Sequence, residues 1–358
     1  MKRFKSVMAN IALVLVSSLI GLICFEIAWS YLKPDYVNTH THKYVFLHGE
    51  RGVFRNVENF YLYRENSVIR NATYFDTRDG WKKEYEYGYS TNNYGLVQKS
   101  DIHPGRSTLL ILGDSFTEGS GAEPWFESLV PRYLQLNVQP VNGGIMGTGF
   151  AQWLLLHDYL KRQDIRIEKV IVVFISDDFR RDVWNFQDTV LQCLSDYEKC
   201  EGPEYYYQMP PEAQRVEFLE RIKAFRESRQ ISHSAKETLR RLFPATSEIG
   251  YRLVRAKAAI ALPSRYYPGS HPVEYFIETY GRNVIFVHIP QRDEVGMEPN
   301  NIGKMARDVI RSKGGQFYDG FQQCGLEPSD YYLHDNHPNE KGYRKISECV
   351  FDASRMLF

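Results

Sequence analysis

Residues 107–119 read STLLILGDSFTEG, an apolar run from Leu109 to Leu112 that stops at Gly113 and is followed at once by Asp114 and Ser115. A short apolar run closed by glycine predicts a buried strand. Ser115 then sits at the strand's carboxyl end, at the start of a predicted helix, where open α/β sheets place their ligands. Backbone N–H groups left free at a helix start favour negative charge, so an oxyanion formed on Ser115 would meet a donor there. The same residues have a plainer use, because Asp and Ser are preferred N-caps and the junction would serve simply to start a helix.

Outward from this stretch the pattern alternates. LLIL is followed by a predicted helix over 125–135 (WFESLVPRYLQ), a short strand over 140–142 (PVN) and a helix over 150–163 (FAQWLLLHDYLKRQ). Two β-branched runs, KVIVVFI at 169–175 and NVIFVHI at 283–289, read as central parallel strands covered on both faces, and 300–314 reads as a further helix. This order predicts an α/β fold, a doubly wound central parallel sheet, over residues 106–358. Two segments flank the pattern. Residues 34–105, rich in tyrosine, asparagine and charge, predict short strands and loops leading into the domain, with EYEYGYS at 84–90 either stacking on sugar rings or forming ordinary half-buried sheet. Residues from about 201 to 265 are charged with helical period, an insertion that would cap the site or simply present a solvated face.

The N-terminus carries Lys2, Arg3 and Lys5, then nineteen uncharged residues from Val7 to Phe25, then Trp29, Tyr31 and Lys33. Such a run is long enough for a helix to cross a bilayer core of roughly 30 Å. Residues 1–33 are therefore expected to form a cytoplasmic tip and one transmembrane anchor, with the rest periplasmic on the inner membrane by the positive-inside bias. A cleaved signal peptide fits less well, since the apolar run is long and no small-x-small site follows; Gly-Leu-Ile before Cys24 is a poor lipoprotein box. Four further cysteines, Cys193, Cys200, Cys324 and Cys349, suit two bridges in an oxidising compartment, with Cys193 and Cys200 the natural local pair. Lys plus Arg equals Asp plus Glu at 44 each, which argues against a nucleic-acid partner. No metal-site spacing occurs, and no metal or organic cofactor is implied.

Near the C-terminus, 333–342 read LHDNHPNEKG before a predicted helix. Asp335 and His337 lie two apart on a loop, so the carboxylate can hold Nδ1–H while Nε2 faces elsewhere. A serine nucleophile needs such a base, oriented by an acid that also stabilises the imidazolium. The alternative is that Asp335, Asn336 and Asn339 turn the chain and cap the last helix.

Taken together, these segments resemble the SGNH (GDSL) hydrolase family. Gly113 to Phe116 (GDSF) resembles its first block, and DNHPNEKG resembles the last block, which supplies acid and base; VNGGIMGTG at 141–149 resembles the second. The resemblance implies a flavodoxin-like three-layer α/β/α fold, a triad of Ser115, His337 and Asp335, and an oxyanion donor at Gly147. The lead-in YSTNNYGLVQKSD resembles the same segment in membrane-anchored, polysaccharide-modifying members. The third block departs from the family's Gly-x-Asn-Asp: in FISDDF, Ile175 replaces the glycine and Asp177 the oxyanion-donating asparagine. An ionised carboxylate cannot donate and would oppose an oxyanion. Three accounts stand open: a protonated Asp177 that donates, an Asp177 turned away so that the Ser115 and Gly147 amides serve alone or with Arg180, or a weakened site.

The expected function is a serine esterase removing acetyl or similar groups from acylated cell-envelope carbohydrate. A polysaccharide O-acetyltransferase fed by a membrane acyl-transfer or export partner is the second expectation. The third is a binding or assembly protein without turnover.

Overall fold

The computed structural model describes residues 2–32, 43–184, 188–202, 209–230, 243, 245–246, 249 and 267–358, the side chains of 2–9, 11, 12, 30, 229 and 230 excepted. Among the described residues, ten strands fall into three sheets. β1 (Lys43–Gly49), β4 (Val68–Thr77) and β5 (Gly80–Ser90) form an antiparallel sheet in the order β1-β4-β5, and β2 (Phe54–Val57) pairs with β3 (Phe60–Tyr63) as a hairpin. β6 (Thr108–Gly113), β7 (Gln139–Gly144), β8 (Ile167–Phe174), β9 (Val284–His288) and β10 (Gln316–Asp319) form an all-parallel sheet in the order β10-β9-β8-β6-β7. That is the doubly wound order in which the progression of strands reverses between β6 and β8, so the carboxyl end of β6 opens at the switch point.

The alternation of β6 shows why the sheet is covered twice. Leu110 and Leu112 share a core with Val170, Val172, Phe174, Val284 and Phe286 and with helices Phe150–Arg162, Ser270–Tyr280 and Asn301–Ser312. Leu109 and Ile111 face the other way, into a core with Ile171, Val173, Ile285, Val287 and the last helix, Glu340–Ser354. Successive strand residues point to opposite faces, so an unbroken apolar run needs a helix layer on each side. The expected α/β fold with its central parallel sheet is what forms.

Two sequence readings differ in detail. The helix expected over 125–135 breaks into a 3-10 turn, Trp125–Ser128, and one short helix, Val130–Leu134. Pro131 lies in the first turn of the second piece and has no N–H to continue the first. β10 was not anticipated: its sequence, QFYD, is half-buried throughout and lacks the apolar run of an inner strand.

Segment 34–105, from residue 43 on, does not stand apart, because Phe54, Phe60, Tyr61, Leu62 and Tyr63 join the same core as Leu110, Leu112 and Trp153. The described helix of the insertion, Glu212–Gln230, corrects the expected cap. Its Phe218, Leu219 and Ile222 pack on Tyr44, Phe46, Ala72, Tyr74 and Trp81, the face of the antiparallel sheet away from Ser115. Its charges are used there, in the pairs Arg215–Glu86 and Lys223–Asp76. SAKETLRRLF, at 234–243, lies outside the described residues except for Phe243.

The N-terminal segment forms one helix, Lys2–Leu32. The expected membrane crossing is not supported: among the described residues, no helix is long and apolar enough to cross a membrane. Both expected disulfides are present, Cys193–Cys200 and Cys324–Cys349.

The β6 terminus admits only glycine. A Cβ on Gly113 would lie 1.9 Å from the Thr117 hydroxyl and 2.6 Å from the Val173 carbonyl oxygen of the neighbouring strand. Gly113→Ala is expected to destabilise the protein by about 1–3 kcal/mol through overpacking. Urea unfolding measures it, and a loss below about 0.5 kcal/mol would contradict this packing.

Candidate active site

Ser115 follows β6 directly, at the first position of a single helical turn, Ser115–Glu118, that ends on Gly119 at φ 96°. The turn is shorter than the helix the sequence suggested. Asp114 is its N-cap, with Oδ1 accepting from the Phe116 N–H at 2.8 Å. The Ser115 N–H is one of the amides a helix start leaves without an internal partner.

The other sequence-predicted segment meets it. The loop 331–339 is pinned by the Tyr331–Pro338 bridge, and Asn339 caps the last helix through Lys341 N–H and Gly342 N–H. His337 Nε2 lies 2.8 Å from Ser115 Oγ, across 222 positions of sequence. His337 Nδ1 lies 2.9 Å from Asp335 Oδ1. With Nδ1–H donating to the carboxylate, Nε2 accepts from the serine hydroxyl. Asn339 is therefore the cap, while Asp335 is the carboxyl that meets His337 Nδ1.

Sequence reasoning missed what lies behind Asp335. Its Oδ2 accepts from Tyr85 Oη at 2.5 Å and from Lys43 Nζ at 2.9 Å, both from the antiparallel sheet. Burial alone would raise this carboxyl, yet the charges of His337 and Lys43 and the hydrogen bonds from His337 and Tyr85 hold it well below the usual carboxylate range. These partners favour the anionic form of Asp335 beside His337. The available signal was EYEYGYS, whose tyrosines at alternate positions share one strand face. Tyr85 and Tyr89 are buried and pair with Tyr87 at ring centroid distances of 5.8 and 5.6 Å, which is packed sheet.

At the oxyanion side, Gly147 adopts φ 73°, with the Trp184 ring 3.6 Å from where a Cβ would stand. Asp177 is the second residue of a 3-10 turn after β8, Ser176–Arg180, and its Oδ1 lies 3.3 Å from Arg180 Nε. The cation that reaches into the buried cluster is the next residue, itself half-buried. Arg181 Nη1 reaches Asp114 Oδ2 at 2.9 Å, Asp178 Oδ1 at 2.6 Å and the Thr148 carbonyl at 2.9 Å. Burial, with the Asp114 charge beside it, pushes the Asp178 carboxyl well up. Burial works against the Arg181 charge, but the two carboxylates raise the guanidinium above its ordinary value.

Glu118 is a second unforeseen group, three residues beyond Ser115. It is fully buried, and its Oε2 accepts from Tyr63 Oη at 2.7 Å and the Met146 N–H at 2.6 Å. Burial raises its pKa to about 7 against hydrogen bonds from Tyr63, Met146 and Ser120 that lower it.

Among the described residues, no group of three or more His, Cys, Asp or Glu could hold a metal ion. No protein-family model and no curated protein matches the chain. Solved structures similar to it include a protein from Lactobacillus plantarum at 12% identity and TM-score 0.36, covering 72% of this chain and 100% of that one. An acetyl xylan esterase from Geobacillus stearothermophilus has 12% identity and TM-score 0.32, covering 72% and 96%. A member of the lipolytic protein G-D-S-L family from Veillonella parvula has 13% identity and TM-score 0.33, covering 69% and 97%.

Glu118 gives stability a pH dependence of definite sign. The folded carboxyl holds its proton up to about pH 7, whereas the unfolded one releases it near 4.5. Stability contributed by this group is then present below 4.5 and falls as pH rises towards 7, by no more than about 3 kcal/mol. Urea midpoints at pH 5 and pH 8 should therefore differ less in Glu118→Gln than in the parent; equal differences would count against the raised pKa.

Proposed function

We propose that the protein is a serine esterase of the SGNH kind that removes acyl groups, in the first place acetyl, from cell-envelope carbohydrate. The observation that carries this reading is the continuous hydrogen-bonded chain from Ser115 Oγ through His337 to Asp335, at 2.8 and 2.9 Å. His337 Nε2 takes the hydroxyl proton as Ser115 Oγ attacks the ester carbonyl, and Asp335 stabilises the imidazolium. The oxyanion is held by the Ser115 and Gly147 amides. Collapse expels the sugar alkoxide, which takes the proton back from His337, and water then hydrolyses the acyl-serine by the same steps.

Asp177 enters this scheme as a carboxylate engaged by Arg180 and not as an oxyanion donor. The hole then has two donors in place of three, and a missing donor typically costs about 100- to 1000-fold in rate. Carbohydrate as substrate class is supported by the motif resemblance and by the proposed location outside the cytoplasm. That location is supported by the two disulfides. The N-terminal helix adds to it: Leu13, Val14, Leu15 and Val16, which lie on successive sides, are all more than half exposed. An apolar turn exposed on successive sides would be stabilised by an apolar medium, such as the surface of the inner membrane.

A fluorophosphonate probe should label Ser115, and Ser115→Ala should lower turnover of 4-nitrophenyl acetate by at least about 1000-fold with the fold unchanged. Retained turnover would remove Ser115 from its role. With acetylated envelope polysaccharide, free acetate is the expected product, and acetyl recovered on a second sugar chain would make the protein a transferase instead. Lys43→Met tests the acid. Losing the cation beside Asp335 leaves more negative charge facing the imidazolium, so the acid limb of the kcat/KM pH profile should move to higher pH; an unmoved limb would show that the Lys43 charge is not felt at His337.

A further inference from the structure

Gly147 presents a physical problem for any oxyanion site built on it. Glycine occupies positive and negative φ with similar ease, so the peptide before it turns readily unless something outside holds it. Tyr61 holds this peptide directly, and Glu118 holds Met146 on its other side, through the N–H of the Ile145–Met146 peptide. Tyr61 Oη donates to the Met146 carbonyl at 2.6 Å, and the Met146 N–H donates to Glu118 Oε2 at 2.6 Å. No peptide bond among the described residues is cis. In a trans peptide, C=O and the following N–H point in opposite directions, so fixing the Met146 carbonyl on Tyr61 turns the Gly147 N–H away from Tyr61.

Both holders are themselves fixed. Tyr61 is fully buried, with its ring 4.8 Å from Phe54 and 5.1 Å, edge-on, from Trp184. Glu118 also accepts from Tyr63 Oη and, on Oε1, from Ser120 Oγ at 3.1 Å. Because Glu118 shares the Ser115 turn, it ties the nucleophile and the 145–148 loop together through one side chain. The contact is tight: a Cβ on Gly144 would stand 2.2 Å from the Glu118 backbone nitrogen.

We propose that Tyr61 and Glu118 are positioning residues that hold the Met146–Gly147 peptide with its N–H turned toward the oxyanion formed on Ser115. This rests on the esterase reading above. Neither residue touches the reacting atoms; they act by keeping one donor aimed.

The test uses the full chain with 4-nitrophenyl acetate. Tyr61→Phe removes only the hydroxyl, and kcat should fall about 10- to 100-fold, up to the cost of one misaimed donor, while KM stays within about twofold. Glu118→Ala should fall likewise, and Glu118→Gln, which keeps an oxygen for the Met146 N–H, should recover most of the loss. A Tyr61→Phe kcat within about twofold of the parent overturns the proposal, as does a Glu118→Gln as impaired as Glu118→Ala; if Glu118→Ala does not fold, Tyr61→Phe decides. Fluorophosphonate labelling separates the two levels. A parent protein that neither labels nor turns over removes the esterase reading and this inference with it, whereas a parent that does both beside an unimpaired Tyr61→Phe removes this inference alone.

Discussion

A buried carboxylate has a charge and several lone-pair sites to satisfy, and Asp335 meets that demand from two parts of the chain at once. His337 covers one oxygen from the same loop, while Tyr85 and Lys43 cover the other from the antiparallel sheet. The charge that orients the histidine is therefore stable only when the sheet has docked. Register is what the docking depends on. A slip of one residue in β5 would turn Tyr85 outward and bring Glu84 or Glu86 against Asp335, setting two carboxylates together. The insertion helix Glu212–Gln230 acts on this register from the far face, where Arg215 holds Glu86 with two hydrogen bonds, at 2.8 and 3.1 Å. Its part in the site is thus indirect, transmitted through a sheet.

The Ser115 turn depends on a second buried charge cluster. Arg181 joins the turns after β6, β7 and β8 by reaching Asp114, Thr148 and Asp178 with one nitrogen. One guanidinium serves two buried carboxyl groups, and burial first, then the Asp114 charge, pushes the Asp178 carboxyl well up. Without the cation, two buried carboxylates would face each other next to the serine turn.

The elements that could be read from the sequence are those whose signal is local. The β6, β8 and β9 strands carry apolar runs, and Ser115, Asp335 and His337 sit in short segments whose chemistry shows in their own spacing. What could not be read is what depends on pairing at a distance. Lys43 opens a strand and looks like any surface lysine until β1 aligns beside β4. Glu118 looks like a polar residue in a helical turn until Tyr63 and Met146 close over it. Arg180 and Arg181 are adjacent and identical in type, and only the geometry of the 3-10 turn decides that Arg181 faces inward. The break at Leu129 could have been anticipated from Pro131, whereas the half-buried β10 carries no periodic signal.

His288 and Ser176 show why chemistry, more than proximity, separates an active pair from a structural one. At the end of β9, His288 Nε2 lies 3.1 Å from Ser176 Oγ, near the spacing of the His337–Ser115 pair. The difference is at the other nitrogen. Arg307 Nε–H donates to His288 Nδ1 at 2.9 Å, and Arg307 is in turn held by Asp319. A nitrogen that accepts a hydrogen bond carries no proton, so the His288 proton is on Nε2 and is donated to the serine. Burial, and then the Arg307 charge, keep this ring neutral. His288 therefore cannot take the Ser176 proton through Nε2, and its bond instead fixes the end of β8 next to Asp177. An arginine where the other histidine has an aspartate makes one serine–histidine pair a brace and leaves the other free to act as nucleophile and base.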